Sequence, residues 1–324
     1  MGKMVERDEL VVAGLSHKGM IRKDNQDSYG FIEPESPELL KSKGRLFIVA
    51  DGLGGHRGGR VASKMAVDII GKLYFSSDKE PIYPALLHAL EVGNRSIFET
   101  SSKHEELHGM ATTCTALVIR DTYLYMAHVG DSRAYMIRNG MIKQISTDHT
   151  LVEEMVHSGI LNQNEARSHP DSHILTRSLG ILQAVEIDIL DPPIQLQPGD
   201  TMLMCSDGLT VYLEDPEILE VVTRFTPQKA CEVLVETANE RGGRDNVTVE
   251  IVQVAAPGQG SQDHLDTTEP LISHTEKLLG RTEPLFLKSE PEQKGLGAEV
   301  GWAMIFYLIY MAFMALYFYF YFKP

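Results

Sequence analysis

Four aspartates stand where runs of apolar and β-branched residues break off. "FIVADG" ends at Asp51-Gly52, "TMLMCSDG" ends at Asp207-Gly208, "AHVGDSRAY" sets Asp131 between two such runs, and "GGRDNVTVEI" puts Asp245-Asn246 directly ahead of a last one. Any one Asp–Gly pair is an ordinary turn signal. Several carboxylates delivered together to the ends of core strands are a different matter, because an unpaired buried carboxylate is costly and clustered ones repel. Cations must compensate them. Oxygen ligands without a nearby Cys or His group favour Mg²⁺ or Mn²⁺ over zinc. The Gly52 carbonyl, unshielded by a side chain, is open to the same kind of ion.

A fifth acidic stretch, Asp24–Gly30 ("DNQDSYG"), offers carboxylate and amide oxygens, with Glu35 at the spacing of an EF-hand's closing acid. It does not read as a calcium loop. The sixth position, where the sharp bend needs Gly, is Tyr29, and the residues before it read as strand and turn instead of an entering helix. Its acids must find partners elsewhere in the chain. Cys114, Cys205 and Cys231 are far apart and form no CxxC pair. They read as buried free thiols in a reducing compartment.

The elements that must carry these residues are strands and helices in mixture. "LVVAGLSH", "GRLFIVAD", "TTCTALVIR", "TYLYMAHVG", "SRAYMIR", "TMLMCSDG" and "NVTVEIV" are short strand-like runs bounded by Gly, Asp or Asn. Arg120–Thr122 reads as a hairpin turn, and Asn139-Gly140 is a strong two-residue turn signal before "MIKQIS". The series through Asp131 therefore reads as an antiparallel meander. Two helices precede it. In one, Val61, Met65, Ile69 and Leu73 recur every four residues beside Ala62 and Ala66; in the other, Leu86, Leu90, Gly93 and Ile97 do the same work. "PEILEVVTRF" reads as a further helix, and so does the stretch from Thr226, an N-cap with Pro227 at the first helical position. Strand runs with paired helices predict packed sheets covered by helices outside.

The chain has 324 residues, 43% hydrophobic and 23% charged, with a formal net charge of −15. That balance permits a sizeable core and argues against a basic surface for nucleic acid. The amino terminus, "MGKMVERDEL", lacks the apolar core of a signal. Residues 6–254 read as one domain. Residues 255–299 shift to Pro, Gly, Glu, Ser and Thr and read as a flexible linker. The linker repeats Thr-Glu-Pro-Leu at Thr268 and Thr282, a chance echo or a pair of phosphorylatable threonines. Residues 300–322 read as a transmembrane helix, since the uncharged run 303–322 has the ~20-residue length that spans a bilayer. It closes on aromatic residues suited to a membrane interface.

In order along the chain, "GMIRKDNQDS", "VADGLGGH", "AHVGDSRAY", "STDHTLV", "LTRSLG", "CSDGL" and "GGRDNVTV" resemble the motifs of the metal-dependent serine/threonine protein phosphatases. This is the protein phosphatase 2C (PPM) family, in its bacterial form. The resemblance implies an α+β fold, two packed and mainly antiparallel β-sheets flanked by helices in an α/β/β/α sandwich. It implies two tightly held Mg²⁺ or Mn²⁺ ions and a third, weaker one. Asp51 would bridge two ions with the Gly52 carbonyl on one of them; Asp207 and Asp245 would bind the other, partly shared, ion, and Asp131 would help hold the third. Arg22 would grip the substrate phosphate, Asp27 would orient waters, and Asn246 would help fix Asp245. Asp51 and Arg22 are thus the expected catalytic residues, and water activated by the ions would attack phosphorus with no Cys or Ser nucleophile. Departures are visible. Leu53 stands where animal members carry a His proposed as general acid, His56 does not match that position, and Gln26 replaces an acid found before Asp27 in many relatives. His17, His128 and His149 read as packing or hydrogen-bonding residues. The segment from Thr150 to Arg177 resembles a mobile flap that would choose substrates.

The expected partners are phosphorylated proteins and a cognate serine/threonine kinase. The expected location is the inner membrane of the cell, single-pass, with the catalytic domain facing the cytoplasm. The competing reading is a non-catalytic regulator that binds phosphoproteins and keeps the fold.

Overall fold

The computed structural model describes residues 10–54, 57–167 and 169–255. The expected transmembrane helix, the linker beyond Ala255, the two Thr-Glu-Pro-Leu threonines and His56 lie outside the described residues. Among the described residues no helix is long and apolar enough to cross a membrane.

The chain opens with β1 (Leu10–His17), β2 (Ser28–Ile32), a short α1 (Pro37–Lys43), β3 (Arg45–Ala50) and β4 (Gly52–Leu53). Two long helices follow, α2 (Gly58–Tyr74) and α3 (Ile82–Lys103). Then come β5 (Ala111–Thr112), β6 (Cys114–Arg120), β7 (Tyr123–Val129), β8 (Arg133–Arg138) and β9 (Met141–Gln144). The short α4 (Leu151–His157) and α5 (Gln163–Arg167) lead to β10 (Asp188–Ile189), β11 (Ile194–Gln195) and β12 (Thr201–Cys205). The remainder is α6 (Asp207–Thr210), α7 (Asp215–Arg224), α8 (Pro227–Glu240) and β13 (Val247–Val254).

These strands form two antiparallel sheets. One runs β1-β13-β12-β8-β9 and the other β10-β7-β6-β3-β2, with β11 also on β7; β4 and β5 make a separate ribbon. Alternation along each strand sends one set of side chains inward and the other outward. Phe47, Val49, Leu117, Met126, Met202, Met204 and Val252 meet between the sheets. The opposite faces of β3, β6 and β7, through Leu46, Ile48, Ala116, Val118 and Ala127, take α2 and α3. On the other side α8 buries Ala230, Cys231 and Leu234, with the Cys231 thiol 3.9 Å from the Val249 carbonyl. The result is the expected α/β/β/α sandwich.

Two expectations change. The buried stripe of α2 runs through Ala62, Ala66, Ile70 and Tyr74, while Val61, Met65 and Leu73 are only partly buried. Small alanines let the helix sit close on the sheet and α3, which turns the larger residues to the flank. The meander is also broken. β6–β7 is a hairpin in one sheet and β8–β9 a hairpin in the other, so the chain changes sheets at Gly130-Asp131. The two turns themselves are as expected, with Asp121 and Asn139 at φ 53° and 52° and Gly140 at 71°.

One residue in the inter-sheet layer is out of character. Glu250 on β13 is 1% exposed, and its Oε2 has no hydrogen-bond partner. Burial pushes its carboxyl up to about 8.

Candidate active site

Strand β3 carries six buried residues in succession and then releases Asp51 at the end of the sandwich. The backbone there is clamped to the other side of the site. The Asp51 N–H donates to Thr113 Oγ1 at 2.8 Å, and the Asp51 carbonyl accepts from the Thr113 N–H at 2.9 Å and from Thr112 Oγ1 at 2.8 Å. At Gly52 a Cβ would lie 2.2 Å from the Gly59 carbonyl oxygen and 2.5 Å from that of Gln26. No side chain fits where these three segments pass.

Asp131 follows Gly130, whose φ of +111° and close approach to Thr113 (a Cβ would lie 2.6 Å from Thr113 Cβ) exclude other residues. His149 brackets that glycine: its ring Nδ1 accepts from the Gly130 N–H at 3.1 Å, and its backbone N–H donates to the Gly130 carbonyl at 2.8 Å. His128 lies behind, Nδ1 2.9 Å from Thr115 Oγ1 and Nε2 3.0 Å from the Gly130 carbonyl. Burial drives its pKa down to about 4, so the ring is neutral. Both histidines serve as frame.

Asp27, 8% exposed, sits just before β2 and is held by hydroxyls from the opposite sheet. Its Oδ2 accepts from Thr248 Oγ1 at 2.6 Å and from Ser206 Oγ at 2.8 Å. Asp207 opens the short α6 directly after that serine. Asp245 precedes β13; its Oδ2 accepts from Arg22 Nη2 at 2.6 Å and its Oδ1 from the Asn246 N–H at 2.8 Å. The Asn246 side chain has a task of its own. Its Nδ2 donates to the carbonyls of Lys18 and Asp24 at 2.9 and 3.0 Å, and its Oδ1 accepts from the Gln26 N–H at 2.8 Å. It therefore pins the loop carrying Arg22 and Asp27 against the start of β13, while the backbone of Asn246 holds the Asp245 carboxylate.

The acids converge. Burial, then the charges of Asp27, Asp207, Asp131 and Asp245, raise the Asp51 carboxyl well above the usual carboxylate range. Asp131 is raised well above it by burial and then by Asp207, and Asp207 is raised by burial and then by Asp245. Burial lifts Asp27 to about 6 even though its two hydroxyl partners pull the other way. Arg22, its side chain half exposed, is held charged first by its hydrogen bond to Asp245, and Asp51 and Asp207 act on it in the same sense.

This arrangement tests the cation expectation on its own terms. Asp27 Oδ1 and Asp207 Oδ1 are buried with no donor, and the neighbour of both side chains is the Asp51 carboxyl. Carboxyl oxygens facing one another without a donor need a shared proton or a cation. The all-oxygen set fits a hard divalent ion. Among the described residues, no group of three or more His, Cys, Asp or Glu side chains is already drawn to metal-binding distances. Beside the cluster lies a cleft of about 640 Å³, bounded by Asp131 and Asp207 at one end and by α4, α5 and the start of α7 along its sides.

The family model for protein phosphatase 2C matches residues 23–248. The serine/threonine phosphatase stp of Listeria innocua is 36% identical over 241 residues, covering 73% of this chain and 92% of that protein. The protein phosphatase PhpP of Streptococcus pneumoniae is 36% identical over 250 residues, covering 76% and 98%. Among solved structures, the S. agalactiae serine/threonine phosphatase is 36% identical with a TM-score of 0.69, covering 76% of this chain and 99% of that one. The catalytic domain of the serine/threonine protein phosphatase PstP, solved with two manganese ions, is 32% identical with a TM-score of 0.63, covering 76% and 98%. With its sandwich and its ring of strand-end carboxylates, the chain belongs to the protein phosphatase 2C family and is a protein phosphatase.

Proposed function

We propose that the protein hydrolyses phosphoserine and phosphothreonine in other proteins at a binuclear Mg²⁺ or Mn²⁺ centre, in opposition to a serine/threonine kinase. The observation that carries this reading is the convergence of Asp27, Asp51, Asp131, Asp207 and Asp245 beside Arg22, with two buried carboxyl oxygens left without donors. Asp51, Asp207, Asp245 and the Gly52 carbonyl would hold two ions, and Asp131 would help hold a third. Divalent ions bound there would acidify water and offset charge on the phosphoryl oxygens.

The chain's own residues supply the rest. Arg22 projects from its loop half exposed, so its planar fork can turn from Asp245 to a phosphate oxygen. Asp27, fixed by Thr248 and Ser206, would hold attacking water by accepting a hydrogen bond. Leu53 has no proton to give and the buried His128 is neutral, so neither serves as acid to the leaving oxygen, and bound water is one source of that proton. The relatives named for serine/threonine phosphatase activity and the PstP structure with two manganese ions support the reading. We further propose, on the sequence of residues 303–322, that a membrane anchor tethers the domain on the cytoplasmic side.

The test is turnover of a phosphothreonine peptide with Mn²⁺. Asp51→Asn should cut kcat/KM by more than about 100-fold, beyond the ~10–100-fold typical of outer-shell partners of a metal, and chelator should abolish it. A wild-type chain that binds phosphopeptide but turns over none with either metal would favour the non-catalytic regulator instead. Carbonate-washed membranes should retain the full chain and release one cut before Val300.

A further inference from the structure

Among the described residues, the cleft beside the carboxylate cluster carries six carboxylates on its lining, Asp131, Asp148, Glu153, Asp207, Glu214 and Asp215, against one guanidinium, Arg133. These charges are not equivalent. Arg133 is closed onto Asp148, Nε to Oδ2 at 2.9 Å and Nη2 to Oδ2 at 2.7 Å. Asp131 and Asp207 form the inner end, where Asp207 Oδ1 is buried without a donor, and they belong to the cluster that divalent ions would balance. The walls further out remain negative. Glu153, in the first turn of α4, has His157 at 3.5 Å, a neighbour charged only when protonated. Asp215 sits in the first turn of α7.

Asp131 and Asp207 are common to the cleft and the cluster, so a phosphorylated side chain held at the cluster brings its neighbouring peptide residues next to this rim. The phosphate brings about two negative charges, met by Arg22 and the bound ions. The flanking residues meet carboxylates. A cleft of about 640 Å³ is in the size range that accepts whole side chains. Its potential attracts Lys or Arg and repels Asp or Glu. Resting on the phosphatase reading above, we infer that this cleft selects phosphoproteins with a basic residue close to the phosphorylated one, and that Glu153 and Asp215 determine that preference.

The experiment uses the full chain with Mn²⁺ and matched phosphothreonine peptides in which Lys, Gln or Glu is placed in turn at each nearby position on either side. At one or two adjacent positions Lys should raise kcat/KM over Gln by about three- to tenfold, as one or two partly exposed ion pairs allow, and Glu should lower it. In Glu153→Gln combined with Asp215→Asn that ratio should collapse while the all-Gln peptide keeps its rate. Asp215→Lys should shrink the Lys preference more than Asp215→Asn does, and added salt should flatten it in the wild type. Equal rates across the Lys and Glu series, or a Lys preference that survives in the double variant, would overturn the inference and leave the phosphatase reading standing. No turnover of any peptide would overturn that reading, and this one with it.

Discussion

Asp27 shows how a carboxylate is aimed by groups that carry no charge. Its Oδ2 takes two hydroxyl hydrogen bonds, from Thr248 and Ser206, and Ser206 Oγ in turn accepts the Thr248 N–H at 3.0 Å. Thr248→Val keeps the shape of the side chain and removes one donor from a buried carboxylate. We expect a stability loss of about 1–3 kcal/mol, the cost of a buried acceptor left short. Turnover should fall ~10–100-fold with a raised Mn²⁺ requirement, the scale of outer-shell partners. Urea unfolding and a Mn²⁺ titration of activity check both; unchanged activity would remove Asp27 from the water-holding role. Arg22→Lys keeps the charge and loses the fork. Its expected signature is a fall in kcat/KM of about tenfold or more, since one charge-assisted hydrogen bond is worth ~1.5–3 kcal/mol, with Mn²⁺ affinity little changed. Asp51, Asp131, Asp207 and Asp245 were legible in the sequence because charge at the end of an apolar run demands compensation, whereas Arg22 was marked only by the resemblance of its motif to the phosphatase family. Thr248, Ser206 and Thr113 were not, because a hydroxyl in a strand satisfies its own propensity and gives no sign of which carboxylate it will meet.

At the scale of elements, long apolar runs announced themselves. The strands that became β1, β3, β6, β7, β8 and β13 stand where Val, Ile, Tyr and Leu gather between turn residues, and β12 where Met and Leu do. β2 escaped notice because Gly30 and a partly exposed alternation dilute the signal, and α1 because seven residues hold too few turns to show a period. The stripe of α2 was displaced by one position, since size pointed to Val61 and Met65 whereas close packing chose Ala62 and Ala66. The change of sheet at Gly130-Asp131 had no local signature: an Asp after Gly reads as a turn whether the next strand joins the same sheet or the other. The structure makes that glycine answerable. Gly130→Ala must force a Cβ to 2.6 Å from Thr113 at a φ of +111°. We expect ~1–3 kcal/mol of destabilisation. Thr113 also bears on Asp51, so the Mn²⁺ requirement should rise with it. A Gly130→Ala protein as stable as wild type would show that the crossover relaxes freely.

For the molecule as a whole, the inter-sheet layer is where acidity and stability conflict, and Glu250 isolates the conflict away from the site. It is buried, its Oε2 lacks a partner, and its carboxyl is raised to about 8, while Tyr29 from β2 is itself raised by burial and then by the Glu250 charge. A raised acid pKa acts against the fold as pH rises. Below the usual carboxylate range both folded and unfolded chains hold the proton, and Glu250 imposes no ionisation penalty. Between that range and about 8 the unfolded chain releases the proton and the folded one keeps it, so unfolding gains steadily, at about 1.4 kcal/mol per unit of pKa difference. Above about 8 the full penalty is present. Glu250→Gln occupies the same space without titrating. The aspartate cluster and the repulsion of a chain with net charge −15 also depend on pH, but they are common to both proteins and cancel in the difference. The melting temperatures of wild type and Glu250→Gln should therefore lie close together at pH 5 and separate by pH 8, the variant higher by up to roughly 10–20 °C at ~2–4 °C per kcal/mol for a domain of this size. A gap that is constant across that range would mean that Glu250 finds, in the folded protein, a partner or a water that lets it ionise normally.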